Sequence, residues 1–103
     1  MKNSTFNQIQ EDIRFAPANA NAVQVIAYEQ DPDTQVETIA DIIEFNPHKA
    51  MTTRGKLKVW EKRALERMIQ EIGDKKGRIV LEYLGRDEYE NQVGVSSVEF
   101  NLV

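Results

Sequence analysis

The fold depends on residues 31–45, DPDTQVETIADIIEF, because this stretch is compatible with two different structures. One is a helix that ends before the following proline. In a helix, Val36, Ile39 and Ile43 lie on one side at i, i+3 and i+7, and the spacing from Thr34 to the next glutamate is that of a capping box. The periodicity of the apolar residues therefore favours a helix.

The alternative is a β-hairpin whose tip is DPDT at residues 31–34. Aspartate and proline are typical turn residues, and the strand after the tip would place Ile39, Ile43 and Phe45 on one face. Asp41 would interrupt that apolar row, which weakens the strand interpretation. Turn chemistry favours the hairpin and periodicity favours the helix, so the sequence leaves both structures open.

The flanking segments predict a single domain over residues 1–103. The chain has 41% apolar and 29% charged residues, which suits a packed domain rather than a disordered tail. We expect an α+β fold with a mainly antiparallel sheet of three or four strands and one long amphipathic helix on a single face. The predicted elements are a short N-terminal helix at 5–14, strands at 22–30, 78–84 and 92–103, and the long helix at about 55–72.

The long helix has an apolar stripe of nearly five turns. Five of its apolar residues recur every three or four positions, and Gly73 stands where a C-cap belongs. This spacing predicts that Trp60 is buried against the sheet. The stripe consists of Leu57, Trp60, Ala64, Met68 and Ile72, joined by Leu65 and Ile69.

The last predicted strand, residues 92–103, has an alternating pattern. Val98 and Phe100 would lie on one face with Leu102, and Val95 would lie on the other. A strand at the end of a sheet can leave its edge unpaired. A homodimer formed by pairing this strand with a second copy is therefore one alternative for the protein's role.

Positive charge is concentrated in one segment between residues 48 and 63. Its only acid is Glu61, so the segment carries a net charge of +5; because the whole chain is −4, the remainder carries −9. Such asymmetry is typical of a surface that meets an anion or an acidic partner. We call the six cations of this segment the basic strip: Lys49, Arg54, Lys56, Lys58, Lys62 and Arg63.

The residues that catalysis or metal binding would need are scarce. The chain has no cysteine, and His48 is its only histidine, in a polar segment after a proline. The acids at residues 31, 33 and 37 lack the central glycine of a calcium loop. We therefore expect no catalytic residue, no metal and no cofactor, and we expect that the protein is not an enzyme.

The remaining interpretation is a binding protein. We expect a small regulatory, inhibitory or adaptor protein in the cytoplasm that binds a partner, most simply another protein, through the basic strip and Tyr89, with no membrane contact. Tyr89 is included because acids flank it in a polar turn. The alternative is a nucleic-acid or phosphate-ligand binder that uses the basic strip, although the pI near 5.0 disfavours nucleic acid.

Overall fold

The structure, a computed structural model, describes residues 2–72 and 77–101. It confirms the α+β class: the described chain forms one four-stranded antiparallel sheet and two helices. The predicted C-cap at Gly73 and the predicted position of Leu102 lie outside the described residues. The elements are α1 (Lys2–Arg14), β1 (Ala22–Gln30), β2 (Glu37–Phe45), α2 (Val59–Ile72), β3 (Gly77–Arg86) and β4 (Gln92–Asn101), and the strand order in the sheet is β2-β1-β3-β4.

The stretch at 31–45 is the second half of a hairpin, so the helix alternative is wrong. Asp31 organises the turn, because its Oδ1 accepts the N–H groups of Asp33 at 2.8 Å and of Thr34 at 3.2 Å. Its main-chain N–H donates to the carbonyl of Val36 at 3.0 Å, which closes the loop. Gln35 takes a positive φ of 60° at the tip. Local turn chemistry thus outweighs helical periodicity here.

A β-bulge in β2 explains why the apolar pattern of this strand looked helical. Ala27 pairs with Asp41 and Tyr28 pairs with Ile39, so Ala40 is an extra residue opposite β1. The bulge moves Ile39 to the sheet face that bears Tyr28, whereas Asp41 stays opposite a core residue and is half-buried. A strict two-residue alternation is therefore broken at the middle of the strand.

Both helices pack on the same face of the sheet. This face carries alternate residues of β1 and β3, and the helices contribute apolar residues that are almost completely buried. All these side chains belong to one continuous cluster. Because both described helices contribute to it, no helix within the described residues covers the opposite face of the sheet. The main members are Ile9 and Ile13 of α1, Val23 and Val25 of β1, Leu65, Met68 and Ile72 of α2, and Ile79, Leu81 and Tyr83 of β3.

Helix α2 begins at Val59, not near residue 55 as predicted, and this shift corrects the position of Trp60. Leu57 precedes the helix, so it does not continue the helical stripe. The buried residues are Leu65, Met68, Ile69 and Ile72. At about 100° per residue, Trp60 lies about 140° around the helix from Leu65. Trp60 is consequently 80% exposed, and the prediction that it packs against the sheet is wrong.

The prediction that Val95 lies on the opposite face of the last strand from Val98 is also wrong. Tyr83 pairs with Ser96 and Leu84 pairs with Gly94, so Val95 is the extra residue of a second bulge. This bulge turns Val95 to the core side of the sheet. There Val95, Val98 and Phe100 are partly buried against the core.

On the sheet face opposite the helices, Arg78 of β3 contacts a residue of each of the other three strands. Its guanidinium makes two bonds of 2.7 Å to the carboxylate of Glu37 on β2 and lies 3.3 Å from Glu99 on β4. The same group lies 4.4 Å from the centre of the Tyr28 ring on β1. The bidentate bond to Arg78 lowers the pKa of Glu37 below its ordinary value.

The contact between Glu37 and Arg78 should make stability depend on pH. Because the pKa of Glu37 is lowered on folding, its contribution is complete above the ordinary glutamate pKa and is lost as the pH falls through the lowered value. We expect Glu37→Gln to be less stable than the parent protein at pH 7 and equally stable at strongly acidic pH. Urea denaturation over a pH series measures this difference. Glu44→Gln is the matched control, because no cation pairs with Glu44 among the described residues.

Candidate binding surface

The loop between β2 and α2 positions most of the basic strip, and it is well ordered by its own hydrogen bonds. Asn46 begins it, since its Oδ1 accepts the N–H groups of His48 at 2.9 Å and Lys49 at 3.2 Å. Pro47 and Ala50 are buried beneath this turn. The side chains of His48 and Lys49 are left exposed at the surface.

The next part of the loop is a miniature hairpin that carries Arg54 and Lys56 at its tip. Met51 and Leu57 form an antiparallel bridge, and the N–H of Thr52 donates to the carbonyl of Lys56 at 2.7 Å. Gly55 closes the tip with a φ of 75°, a conformation that favours glycine. The side chain of Arg14 from α1 packs so closely on Gly55 that a Cβ there would lie 2.5 Å from its Nε.

A buried glutamine attaches this hairpin to α1. Gln10 is 7% exposed, and its Oε1 accepts the N–H of Leu57 at 2.9 Å across 47 residues of sequence. The N–H of Lys58 then donates to the carbonyl of Ala50 at 2.8 Å, immediately before α2 begins. The hairpin and the start of α2 therefore form one supported surface.

Two large apolar side chains lie on this surface at the start of α2. Val59 is 59% exposed and Trp60 is 80% exposed. Residues three and seven positions beyond Trp60 are Arg63 and Arg67, both exposed on the same side of the helix. We call this region the Trp60 surface, and it comprises Val59, Trp60, Lys56, Lys58, Lys62, Arg63 and Arg67.

Within the described part of the chain, the cations of the Trp60 surface have no ion-pair partner. In residues 2–72 and 77–101, no carboxylate lies within 4.0 Å of any of them. Glu61 is the only acid of the first helical turn, and one of its carboxylate oxygens is enclosed without a hydrogen-bond partner in the described chain. An acid in the first turn suits the helix dipole, but it leaves the surrounding cations free for a partner.

Of the predicted binding residues, the structure places Tyr89 apart from the others. It lies in the loop between β3 and β4, whereas the basic strip follows β2 at the opposite edge of the sheet. Asp87 shapes this loop by accepting the N–H groups of Tyr89 and Asn91, both at 2.9 Å. Tyr89 is exposed, as predicted, but it does not extend the Trp60 surface.

Sequence reasoning missed Val59, Trp60 and Arg67 as surface residues. The signal that could have found them is the choice of which side of the helix faces the core. The densest apolar stripe of the helix excludes residue 60 and consists of Leu65, Met68, Ile69 and Ile72. That choice leaves Trp60 on the outside.

No group of three or more histidine, aspartate and glutamate side chains among the described residues could hold a metal ion. His48 is exposed in its loop. Tyr83 is 3% exposed and donates a hydrogen bond to Asp12; burial, followed by this bond, raises its pKa well above the usual range. Its hydroxyl therefore stays protonated, as a hydrogen-bond donor, at alkaline pH where an exposed tyrosine would ionise.

The chain matches no known protein-family model, and no curated protein or solved structure is significantly similar to it. Neither of the two helices in the described ranges combines the length and the apolar character needed to cross a bilayer. The interpretation of the surface therefore depends on its own geometry.

Proposed function

We propose that this protein is a non-enzymatic regulatory, inhibitory or adaptor protein that binds an acidic partner protein through the Trp60 surface. The observation that carries the proposal is the 80% exposure of Trp60, the only tryptophan, next to an exposed Val59 and among cations that have no partner in the described chain. Because the Trp60 side chain stays mostly in water, it contributes little to the free energy of folding.

An exposed tryptophan is well suited to anchor an interface. Burying its side chain removes about 150–250 Å² from water, which corresponds to a gross gain of roughly 4–6 kcal/mol before the costs of association. Tryptophan and arginine are also the residues most enriched among energetic hot spots. Trp60 with Arg63 therefore has the composition of an interface centre, and Val59 extends its apolar part.

The lysines around this centre would select the partner rather than supply most of the affinity. Rim charges mainly accelerate association and disfavour partners of like charge. The lysines at 56, 58 and 62, together with Arg54 in the adjoining loop, would therefore favour a partner whose surface is acidic. Their distribution over a loop and a helix gives the surface a width that one helix alone would lack.

A second candidate function is binding of single-stranded nucleic acid through the same surface. The observation that favours it is the exposed ring of Trp60 beside Arg63 and Arg67, since bases stack on exposed aromatic rings between cations. Glu66 and Glu71 lie on the exposed side of the same helix, and the chain outside the basic segment carries −9. A long polyanion would meet this negative charge, so we favour a protein partner.

The proposal is tested by recovering partners from an extract of the native cells with the immobilised protein, and by comparing it with Trp60→Ala. Loss of a hot-spot side chain should weaken partner binding by about 30-fold to 1,000-fold. Val36→Ala is the control, because it truncates another exposed apolar residue, in the hairpin loop at the other end of β2.

Nuclease treatment of the extract separates the two candidate functions. A partner protein that is recovered equally with and without nuclease, and is lost with Trp60→Ala, supports the proposal. Recovery only without nuclease would favour nucleic acid instead. Equal recovery by the parent protein and Trp60→Ala would show that the partner binds elsewhere.

A further inference from the structure

A groove of about 590 Å³ lies on the helix-bearing side of the sheet, between α1 and β4. Tyr83 and Val98 come from the sheet, and Phe15 stands at the end of α1 with 69% of its surface exposed. The groove exists because α2 contacts β1 and β2, whereas the apolar residues of β4 remain only partly buried. The sheet therefore extends beyond the cover that the helices provide.

The groove runs beside an edge strand that is open to pairing. In the described sheet β4 is terminal, and its bulge at Val95 leaves residues 96–101 regular over roughly 20 Å. The other edge, β2, is interrupted at its middle by the bulge at Ala40, and the N–H of Ile42 is already engaged by the carboxylate of Asp41 at 2.9 Å. Such features protect an edge from additional strands. β4 also has a bulge, at Val95, but the six residues after it pair regularly with β3, whereas in β2 the engaged N–H of Ile42 lies directly after the bulge.

The charge of the groove is negative. Its α1 side presents Gln8, Glu11 and Asp12, and none of the described residues that line it is a lysine or arginine. Asp12 is held by the hydroxyl of Tyr83, which donates to one of its carboxylate oxygens and leaves the other oxygen able to accept a further bond. Glu11 is 58% exposed at its side chain and lies 3.8 Å from Arg14, a weak contact that a ligand could replace.

We propose that β4 and this groove bind an extended segment of a partner protein by strand addition, and that this segment carries lysine or arginine at positions that face α1. Main-chain hydrogen bonds to β4 would supply a general affinity, and alternate side chains would enter the groove. Cations would meet Glu11 and Asp12, and apolar residues would meet Val98 and Phe15. This surface is separate from the Trp60 surface and has the opposite charge.

A second copy of this chain would fit the groove less well than a cationic segment. Residues 92–103 contain a single charged residue, Glu99, so the β4 of another copy would bring no cation to Glu11 and Asp12. Complementary charge therefore favours a different partner.

The test uses an acetylated and amidated peptide of alternating threonine with lysine or valine, Thr-Lys-Thr-Val-Thr-Lys-Thr-Val, titrated into the isotopically labelled full chain. We expect binding with a Kd below about 1 mM, and slower hydrogen exchange at alternate amides of residues 96–101. The same peptide with glutamate in place of lysine should bind at least about tenfold more weakly. Trp60→Ala should bind the lysine peptide as the parent protein does, so this result is independent of the proposed function.

Charge reversal on the protein provides the matched comparison. Glu11→Lys should weaken binding of the lysine peptide about tenfold, whereas Glu71→Lys, the same charge change at the far end of α2, should leave it unchanged. Three results would overturn the proposal: no binding of the lysine peptide at about 1 mM, equal binding of the two peptides, or slower exchange confined to other strands. Protection of β4 in a dimer of the protein alone would overturn the choice of occupant.

Discussion

Leu65→Ala is expected to destabilise the domain by about 2–5 kcal/mol, whereas Trp60→Ala should change its stability by no more than about 0.5 kcal/mol. Leu65 is completely buried between α2 and the sheet, so its removal leaves a cavity in the core. Trp60 is 80% exposed on the opposite side of the same helix. Urea denaturation of both variants measures the contrast within one element.

The result would also show which side of α2 faces the core. Because Trp60 is the only tryptophan, its fluorescence provides an independent check, and we expect an emission maximum typical of an indole in water. A loss of about 3–5 kcal/mol for Trp60→Ala would instead be the cost of deleting a buried aromatic residue. That outcome would contradict both the exposure of Trp60 and the surface built around it.

The sequence predicted most elements because their local signals agree. Strand β1 is rich in β-branched and aromatic residues and precedes a turn, and the structure confirms the predicted range of 22–30. Strands β3 and β4 overlap the predicted ranges of 78–84 and 92–103, and helix α1 covers the predicted range of 5–14 but begins earlier, at Lys2. At residues 34–45 the local signals conflict, because a bulge at Ala40 replaces strict alternation with a spacing that resembles a helix. The turn at Asp31 and the pairing with β1 together resolve that conflict, and the pairing is a property that the local pattern does not contain.

The candidate site was predicted in part for a related reason. Charge is a local property, so the cations of the basic strip could be identified directly, and all six are exposed. The exposure of Trp60 depends on where α2 begins. Directly before that start, the N–H of Leu57 bonds to Gln10, and Arg14 of α1 packs on Gly55 in the miniature hairpin, so contacts with a distant part of the chain hold this segment. Apolar character alone therefore assigned Trp60 to the core.

Reversing four cations, with Arg54→Glu, Lys56→Glu, Lys58→Glu and Lys62→Glu in one variant, is expected to abolish partner binding while the domain stays folded. The change takes the basic segment from +5 to −3. All four side chains are exposed, and acids near the start of α2 suit the helix dipole, so circular dichroism should be unchanged. Against an acidic partner, attraction becomes repulsion, and we expect affinity to fall by more than about a hundredfold. Undiminished binding by the folded variant would exclude the basic strip from the interface.

The salt dependence of binding by the parent protein then distinguishes the two kinds of partner. If the strip neutralises phosphates, log K falls with log salt by about 0.7 per phosphate on a single strand and about 0.9 on a duplex, so five or six contacts weaken binding by more than about a hundredfold between roughly 50 and 200 mM. A protein interface centred on Trp60 should lose much less, because salt screens its charged rim and not its apolar centre. We expect the shallow dependence, with Trp60→Ala more damaging than added salt. Tight and steeply salt-dependent binding to a generic single-stranded oligonucleotide would favour the nucleic-acid function. The attraction of the oligonucleotide's phosphates to the basic strip would then exceed their repulsion by the rest of the chain, which carries −9.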